Sequence, residues 1–296
     1  MAFDAIETPF GKVDKIVGGS AIYAAYSASY FINQVKLIGI VGNDFSETVL
    51  NDLLGRGVSI EGVEKVEDKP SFFWKGKYHL DMNSRDTLVT DLNVLSGFEP
   101  FVPDSYQGSD FLMLGNLTPD VQMSVINQLK VRPKLIVMDT MNLWIETALD
   151  GLKKVLQKID VLLLNDSEAR QLSGEFSLVK AAHKIMAMGP AFLVIKKGEH
   201  GAFLFHKRQI FYAPALPLEE VFDPTGAGDS FAGGFIGYLA IKSDICFDNM
   251  KRAIIAGSAM ASFCVEQFGP QRLQNLSKNE IDTRMESFLN LTKIDL

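Results

Sequence analysis

The sequence predicts an α/β fold built on a doubly wound, mostly parallel sheet flanked by helices. Two observations support this prediction. Short apolar runs typical of buried strands alternate with segments whose apolar residues recur at helical spacing. Such alternation is typical of a parallel sheet covered by helices on both faces. The chain has 296 residues, of which 47% are hydrophobic, which is enough for a large core. We therefore expect residues 1–296 to form a single domain.

The predicted elements alternate along the chain. The buried strands are Val35 to Val41, Phe111 to Leu114, Leu135 to Met138, Val161 to Leu164 and Phe192 to Ile195. The helices between them are Ser20 to Ile32, Glu47 to Gly55, Pro119 to Leu129, Leu149 to Gln157 and Val179 to Met188. A last helix is expected near Ser277, which has the capping-box pattern with Glu280. Ligands of such sheets bind beyond the carboxyl ends of the strands, so we expect the site there.

The alternation breaks between about residues 65 and 95. This segment is rich in aromatic and β-branched residues, with a predicted turn at Lys75-Gly76-Lys77. The pattern predicts strands of a small antiparallel appendage. An alternative interpretation is that these strands form the edge of a sheet and contact a second subunit in a dimer.

Composition excludes several classes of function. The net charge is −7 and no basic run stands out, so nucleic acid is not an expected partner. The two cysteines, Cys246 and Cys264, are expected to be buried free thiols in a reducing compartment. The four histidines lack metal-ligand spacing. The sequence has no signal-peptide pattern and no run of 18 apolar residues, so we expect a cytoplasmic protein without membrane contact.

The most specific motif is DPTGAGDSFAGG, from Asp223 to Gly234. Its glycines precede a predicted helix, where the free N–H groups of Gly226, Ala227 and Gly228 can bind a phosphate oxygen. Asp229 beside them is suited to take a proton from an attacking hydroxyl group. The pattern therefore predicts phosphoryl transfer to an alcohol. A purely structural glycine turn is an alternative, whereas dinucleotide and P-loop patterns lack their expected context.

This motif resembles the C-terminal motif of the ribokinase-like, or PfkB, family of carbohydrate kinases, and we expect a fructokinase-like member first. The resemblance covers most of the chain. In that family the residue matching Asp229 is the catalytic base, and the amides of Gly226 to Asp229 form an anion hole. The other matching segments are Gly18-Gly19, Gly42-Asn43-Asp44, Asn165 to Glu168, Gly198 to Gly201 and a helix from about 248 to 266.

The resemblance implies ATP and Mg²⁺ as cofactors. Glu168 would organise the water shell of Mg²⁺, and Asn165 would lie near the phosphates, although the same spacing is a capping box. The turn with Lys196, Gly198 and Gly201 would hold the nucleotide, although it also fits an ordinary hairpin. Gly257, with Ser258, would lie against the adenine.

The resemblance also implies where the acceptor binds. The candidates are Asp4, Gly18, Gly19, Ser20 and Asn43, with Asn116 behind them and Asp229 at the reacting hydroxyl group. Residues 5–16 and 65–95 would form a lid whose strands could pair two subunits in a homodimer. Tyr23 stands where sugar kinases of this type often have Asn, which leaves the acceptor open: a sugar or related polyol first, with a nucleoside or inositol as alternatives. The alternative to an enzyme is a binding protein with the same fold, which responds to sugars or nucleotides without catalysing a reaction.

Two further points follow from the resemblance. Asp223 and Thr225 match positions that bind a monovalent cation in several such kinases, but Pro224 replaces the usual small polar residue, which leaves potassium dependence open. The family also has a full strand before the residue matching Asp4, whereas only three residues precede it here. Either the sheet accepts a shortened strand, or translation starts upstream.

Overall fold

The computed structural model describes residues 1–293, which form twelve strands and ten α-helices. The strands are β1 Ala2–Thr8, β2 Gly11–Gly18, β3 Val35–Val41, β4 Val58–Lys65, β5 Phe72–Tyr78, β6 Arg85–Asp91, β7 Phe111–Leu114, β8 Leu135–Asp139, β9 Val161–Asn165, β10 Phe192–Lys196, β11 Ala202–His206 and β12 Gln209–Ala213. The helices are α1 Ser20–Ser29, α2 Glu47–Gly55, α3 Pro119–Gln128, α4 Asn142–Thr147, α5 Leu149–Leu156, α6 Asp166–Ser173, α7 Leu178–Met186, α8 Ala227–Lys242, α9 Phe247–Cys264 and α10 Lys278–Asn290.

The largest sheet has the order β12-β11-β10-β9-β8-β7. Strands β7 to β10 are parallel, and β11 and β12 continue the sheet antiparallel. One hydrophobic core packs α5, α6 and α7 on one face, and a second packs α8 and α9 on the other. The prediction of a mostly parallel sheet covered on both faces is therefore confirmed. Each of β8, β9 and β10 extends one polar residue beyond its predicted apolar run.

Strands β3 and β4 form a separate parallel pair rather than part of the large sheet. Their apolar side chains pack with α1 and α2 in a third core. Helix α1 also lies close to α8, where a Cβ added to Gly233 would lie 2.3 Å from the carbonyl oxygen of Ala24. The glycines of α8 therefore let these two helix backbones approach each other.

A third sheet has the order β2-β1-β5-β6, and we refer to it as the lid sheet, or lid. It combines the two segments predicted for a lid, and Asp4 lies inside its strand β1. The turn predicted at Lys75-Gly76-Lys77 is wrong, because these residues lie within β5. The chain turns instead at residues 81–84, where the Asp81 carboxylate accepts hydrogen bonds from the N–H groups of Asn83 and Ser84.

The structure agrees with some of the remaining sequence predictions and differs from others. The capping box at Ser277 and Glu280 is confirmed. Cys264 is buried as expected, but Cys246 is only half-buried, because it precedes the first residue of α9 rather than lying within an apolar helix. Of the helices formed by residues 1–293, none has both the length and the apolar character required to cross a membrane.

Candidate active site

Four elements of the fold meet at one cleft. Strands β8, β9 and β10 are neighbours, and their carboxyl-terminal residues are Asp139, Asn165 and Lys196. Helix α8 begins at the same edge, and the lid lies opposite. Because parallel strands end at one edge of a sheet, polar residues far apart in the sequence meet here.

The glycine turn before α8 has a backbone shape that favours glycine. Gly226 has a φ of 77°, and a Cβ there would lie 2.4 Å from the ring of Tyr23. The N–H group of Ala227 donates to the carbonyl oxygen of Pro224 at 3.2 Å. Within residues 1–293 the N–H groups of Gly226, Gly228 and Asp229 have no such partner. The free donors at this helix start are therefore these three amides, without that of Ala227.

Asp229 lies in the first turn of α8. Burial raises the pKa of its carboxyl group to about 6, and the nearby Asp139 carboxylate adds to the rise. Lys196, the Ser20 hydroxyl group and Arg85 act in the opposite direction. Asp229 is therefore mostly ionised at neutral pH, with a pKa close enough to neutrality for it to accept a proton.

A buried ion pair stands beside the glycine turn. The Nζ atom of Lys196 lies 2.7 Å from Oδ2 of Asp139, and the two side chains are 17% and 7% exposed. A Cβ added to Gly228 would lie 3.1 Å from the same Nζ atom, so the ammonium group faces the free amides. Burial lowers the pKa of Lys196, but Asp139 and Glu168 more than offset this, and the pKa is raised.

Sequence reasoning missed Asp139. A usable signal was present, because Asp139 directly follows the predicted strand Leu135 to Met138, where site residues are expected. It also missed Arg85, whose guanidinium group in the lid helps to lower the pKa of both Asp229 and Glu168. Nothing in the local sequence indicated Arg85, because strand pairing in the lid determines where it lies.

Asn165 and Glu168 form the capping box of α6. The Asn165 Oδ1 atom accepts from the N–H group of Glu168 at 2.8 Å, and Glu168 Oε2 accepts from that of Asn165 at 2.7 Å. Burial, together with Asp139, raises the pKa of Glu168 to about 7. The cap uses Oε2, and Glu168 also lines the cleft, so the structural role does not exclude a role toward a cation.

Asp4 lies at the other end of the cleft, on β1, with 4% of its surface exposed. A Cβ on Gly18 would lie 1.9 Å from Oδ2 of Asp4, so the carboxylate fits only against a glycine. Burial, reinforced by Asp223 and Asp229, raises the pKa of Asp4 to about 7. The N–H group of Gly19, whose φ is 88°, acts on this carboxylate and partly offsets the rise of its pKa.

Aromatic side chains of β5 lie next to Asp4. In the parallel pairing of β1 with β5, Asp4 is opposite Trp74. Phe72 and Tyr78 occupy alternate positions on the same strand and also line the cleft. The Arg85 guanidinium group lies 5.7 Å from the centre of the Trp74 ring. The lid therefore places aromatic residues on the strand next to the one that carries the buried Asp4 carboxylate.

The nucleotide turn predicted at Lys196 to Gly201 connects β10 to the antiparallel β11, so it is also a hairpin. Gly198 has a φ of 53°, and a Cβ there would lie 2.4 Å from Asn83 Oδ1 at the lid turn. Gly201 has a φ of 82°, and a Cβ would lie 2.0 Å from the carbonyl oxygen of Ala213. The lid turn thus contacts the loop predicted to hold the nucleotide.

Three residues that the sequence suggested as ligand contacts lie away from the cleft or beneath its surface. Asn43 is exposed, and its amide donates to the carbonyl oxygen of Glu67 at 3.1 Å, away from the cleft. Gly257 is buried, and a Cβ added to it would lie 2.7 Å from the carbonyl oxygen of Phe231. The neighbouring Ser258 lines the cleft. Tyr23 is 1% exposed beneath Gly226, so it supports the turn rather than offering its ring to an acceptor.

Asp223 and Thr225 join two loops. The fully buried Asp223 carboxylate accepts from the N–H group of Thr225 at 2.9 Å and from that of Gly269 at 2.8 Å. The carbonyl oxygen of Thr225 lies 3.4 Å from Sγ of Cys264. The oxygens predicted to bind a monovalent cation therefore already have hydrogen-bond partners in this structure.

The chain is similar to known proteins along most of its length. Residues 7–277 match the model of the pfkB family carbohydrate kinases. A cytidine kinase of Thermococcus kodakarensis is 28% identical over 80% of this chain and 86% of its own length. An adenosine kinase of Saccharomyces cerevisiae is 26% identical over 86% of this chain and 79% of its own length. The solved structure of a Burkholderia thailandensis nucleoside kinase in complex with inosine aligns with a TM-score of 0.76 and 22% identity, covering 98% of this chain and 96% of that one.

Proposed function

Because the chain belongs to the pfkB family of carbohydrate kinases, we propose that it transfers the γ-phosphoryl group of ATP to a hydroxyl group of a nucleoside. The chain is a phosphotransferase with a ribokinase-like fold, from a family of ATP-dependent sugar and nucleoside kinases. Its relatives include cytidine kinase, adenosine kinase, ribokinase and a probable fructokinase, so family membership leaves the acceptor open.

The observation that carries the proposal is the placement of Trp74 beside Asp4. A carboxylate can accept hydrogen bonds from two adjacent hydroxyl groups of a ribose. A free sugar offers Trp74 only the small C–H face of its ring, whereas a nucleoside adds the larger flat surface of its base. Stacking of a base on an aromatic side chain contributes about 1–3 kcal/mol. This arrangement supports a nucleoside over the free sugar that the sequence favoured.

Each residue of the cleft has a role in the proposed reaction. Asp229 accepts the proton of the attacking hydroxyl group. The N–H groups of Gly226 and Gly228 and the ammonium group of Lys196 stabilise the negative charge of the transferred phosphoryl group. Asp139 holds Lys196 in place through their 2.7 Å contact. Because phosphoryl transfer depends mainly on positioning and charge stabilisation, these donors contribute alongside the base.

The residues of the cleft fit a magnesium ion. The carboxylates of Asp139, Glu168 and Asp229 outnumber the nearby cations Lys196 and Arg85. Burial raises the pKa values of Glu168 and Asp229, and the Asp139 carboxylate adds to both rises. No group of three acidic, histidine or cysteine side chains within residues 1–293 forms a metal site. Glu168 would therefore hold Mg²⁺ mainly through water. The ion supplies positive charge that offsets the charge of the phosphates.

The test is ADP release from ATP and Mg²⁺ with cytidine, adenosine, inosine, ribose and fructose as acceptors. We expect the highest kcat/KM with a nucleoside. Replacing Trp74 with leucine should raise KM for that nucleoside by roughly tenfold, as loss of one stacking contact predicts, and should leave KM for ribose nearly unchanged.

The matched control is Trp74→Phe, which keeps an aromatic ring on the same strand. It should retain most of the affinity for the nucleoside. A higher kcat/KM with fructose or ribose than with every nucleoside would instead identify a free sugar as the acceptor. Equal losses for nucleoside and ribose in Trp74→Leu would mean that Trp74 shapes the lid without stacking on a base.

A further inference from the structure

The backbone before α8 forms a β-turn whose type depends on one peptide group. The N–H group of Ala227 donates to the carbonyl oxygen of Pro224 at 3.2 Å, which closes the turn. Gly226 has a φ of 77° and a ψ of 0°, the values expected for the third residue of a type II turn. In a type I turn the peptide group between Thr225 and Gly226 has the opposite orientation, and glycine accepts both types. Contacts outside the turn therefore decide which way the Gly226 N–H group points.

Three hydrogen bonds hold Thr225 in this turn. Its N–H group donates to Oδ1 of Asp223 at 2.9 Å, and its carbonyl oxygen lies 3.4 Å from Sγ of Cys264. Its hydroxyl group donates to the hydroxyl oxygen of Tyr78 at 3.1 Å. The first two partners belong to the same loop and to α9, whereas Tyr78 belongs to the lid, 147 residues away in the sequence. The lid therefore contributes directly to the position of this turn.

Tyr78 is suited to be a fixed partner for Thr225. It is the last residue of β5 and is 6% exposed, so its ring has little freedom to move. Burial raises the pKa of its hydroxyl group to about 12, so the group stays protonated at neutral pH. A neutral phenolic hydroxyl group can accept one hydrogen bond while it donates another. Its contact with Thr225 is therefore available at any pH near neutrality.

The lid also packs against the two loops that hold this turn. The ring of Phe10, between β1 and β2, lies 5.4 Å from that of Phe222, measured between ring centres. A Cβ added to Gly269 would lie 2.6 Å from Cδ1 of Ile16 on β2. The Asp223 carboxylate joins the two loops, because it also accepts from the N–H group of Gly269 at 2.8 Å. The position of the lid and the position of the turn are therefore linked through side-chain contacts.

We propose that Tyr78 is a positioning residue for phosphoryl transfer: its hydroxyl group holds Thr225, and through Thr225 it sets the orientation of the Gly226 N–H group. This inference rests on the phosphoryl transfer proposed above, but it applies to a nucleoside and to a free sugar alike. It gives the lid a part in catalysis that is separate from its contact with the acceptor.

The expected effect of Tyr78 is on turnover rather than on substrate binding. Donors stabilise the charge of the transferred phosphoryl group best when they already point at it. A peptide group that turns between two orientations would spend part of its time with the Gly226 N–H group directed elsewhere. Losing an interaction that acts in the transition state lowers kcat and leaves KM nearly unchanged. Tyr78 should therefore affect kcat.

The test removes each hydroxyl group of the pair. Tyr78→Phe keeps the ring, and Thr225→Val keeps the branched side chain and the carbonyl group. We expect each variant to lower kcat roughly fivefold, as loss of one neutral hydrogen bond predicts, with KM for ATP and for the acceptor within about twofold of the wild type. The double variant should be no slower than either single variant, since both break the same bond. Thr225→Ser keeps the hydroxyl group and should retain most of the turnover.

Tyr30→Phe is the matched control. Its hydroxyl group donates to the carbonyl oxygen of Leu273 at 2.6 Å, and Tyr30 does not line the cleft. This variant should be less stable to urea, yet its kcat should equal that of the wild type. The assays use whichever acceptor has the highest kcat/KM, so a free sugar in that place would refute the proposed substrate and leave this test intact.

Two results would overturn the role of Tyr78. The first is a wild-type kcat in Tyr78→Phe, or losses that multiply in the double variant, since either result would mean that the two hydroxyl groups do not act through one bond. The second is a raised KM for the acceptor at unchanged kcat in Tyr78→Phe, with no effect of Thr225→Val. That pattern would mean that the Tyr78 hydroxyl group binds the acceptor instead of holding the turn.

Discussion

Replacing Gly226 with alanine tests the geometry of the turn before α8. The backbone φ of 77° at this position favours glycine, and another residue there costs about 1–2 kcal/mol. The added Cβ would also lie 2.4 Å from three ring carbons of Tyr23. Tyr23 is 1% exposed, so its ring cannot move aside, and such overpacking costs about 1–3 kcal/mol. We expect Gly226→Ala to lower the free energy of unfolding by about 2–5 kcal/mol.

Gly174 provides the matched control. It has a φ of 69°, and a Cβ there would meet no heavy atom within 4 Å. Gly174→Ala should therefore show the backbone cost alone, about 1–2 kcal/mol. Urea unfolding of both variants, followed by ADP-release assays, separates the two costs. Turnover should fall in Gly226→Ala, because the amides at the start of α8 shift, and should be retained in Gly174→Ala.

A double-mutant cycle isolates the contact with Tyr23. In a Tyr23→Leu background the ring is gone, so Gly226→Ala should cost no more than Gly174→Ala. If Gly226→Ala is no more destabilising than Gly174→Ala in the wild-type background, the ring does not lie beneath the turn. That result would refute the packing argument.

Three further predictions concern the carboxylates of the cleft. Asp229→Asn should cut turnover by roughly 10² to 10⁴ while ATP binding, measured by equilibrium dialysis, is retained; a variant that keeps most of its turnover would refute the base assignment. The kcat/KM should fall below about pH 6, where Asp229 becomes protonated, and this limb should move to lower pH in Asp139→Asn and to higher pH in Lys196→Met. Opposite or absent displacements would contradict the charge coupling. Asp4→Asn should abolish acceptor binding yet stabilise the fold at pH 8 by a few kcal/mol, with little effect at pH 4, as measured by urea unfolding.

The sign of the Asp4 prediction follows from its raised pKa. In the unfolded chain the carboxyl group ionises near its usual pKa of 3.8, whereas in the folded protein it ionises near 7. The folded state therefore binds the proton more tightly, and stability is lost as the pH rises from about 4 to 7. Asparagine carries no charge at any pH, so this loss should be absent from the variant. Equal stabilisation at both pH values would show that charge is not the cause.

Much of the local structure could be predicted because its signals lie within a few residues of each other. The five buried strands were found from apolar runs, and the tail helix from the spacing of Ser277 and Glu280. The motif from Asp223 to Gly234 predicted a helix start, which the structure contains at Ala227. The turn predicted at Lys75-Gly76-Lys77 was wrong, because a glycine within a strand has the same local pattern as a glycine in a turn. In the structure a Cβ added to Gly76 would lie 2.1 Å from the Trp74 ring, so this glycine makes room for the ring.

The class of fold, the order of its elements, and the glycine turn with its neighbouring carboxylate follow from the amino-acid sequence alone. These features depend on the periodicity of apolar residues and on short spacings, both of which are visible within a short segment of the sequence. Three-dimensional packing was needed to show that Asp139 pairs with Lys196, 57 residues away, and that Trp74 is opposite Asp4 on the adjacent strand. Strand pairing brings these groups together, and it depends on contacts between residues far apart in the chain. The pKa values of the site carboxyl groups depend on burial and on the same long-range contacts, so they too follow from the tertiary structure.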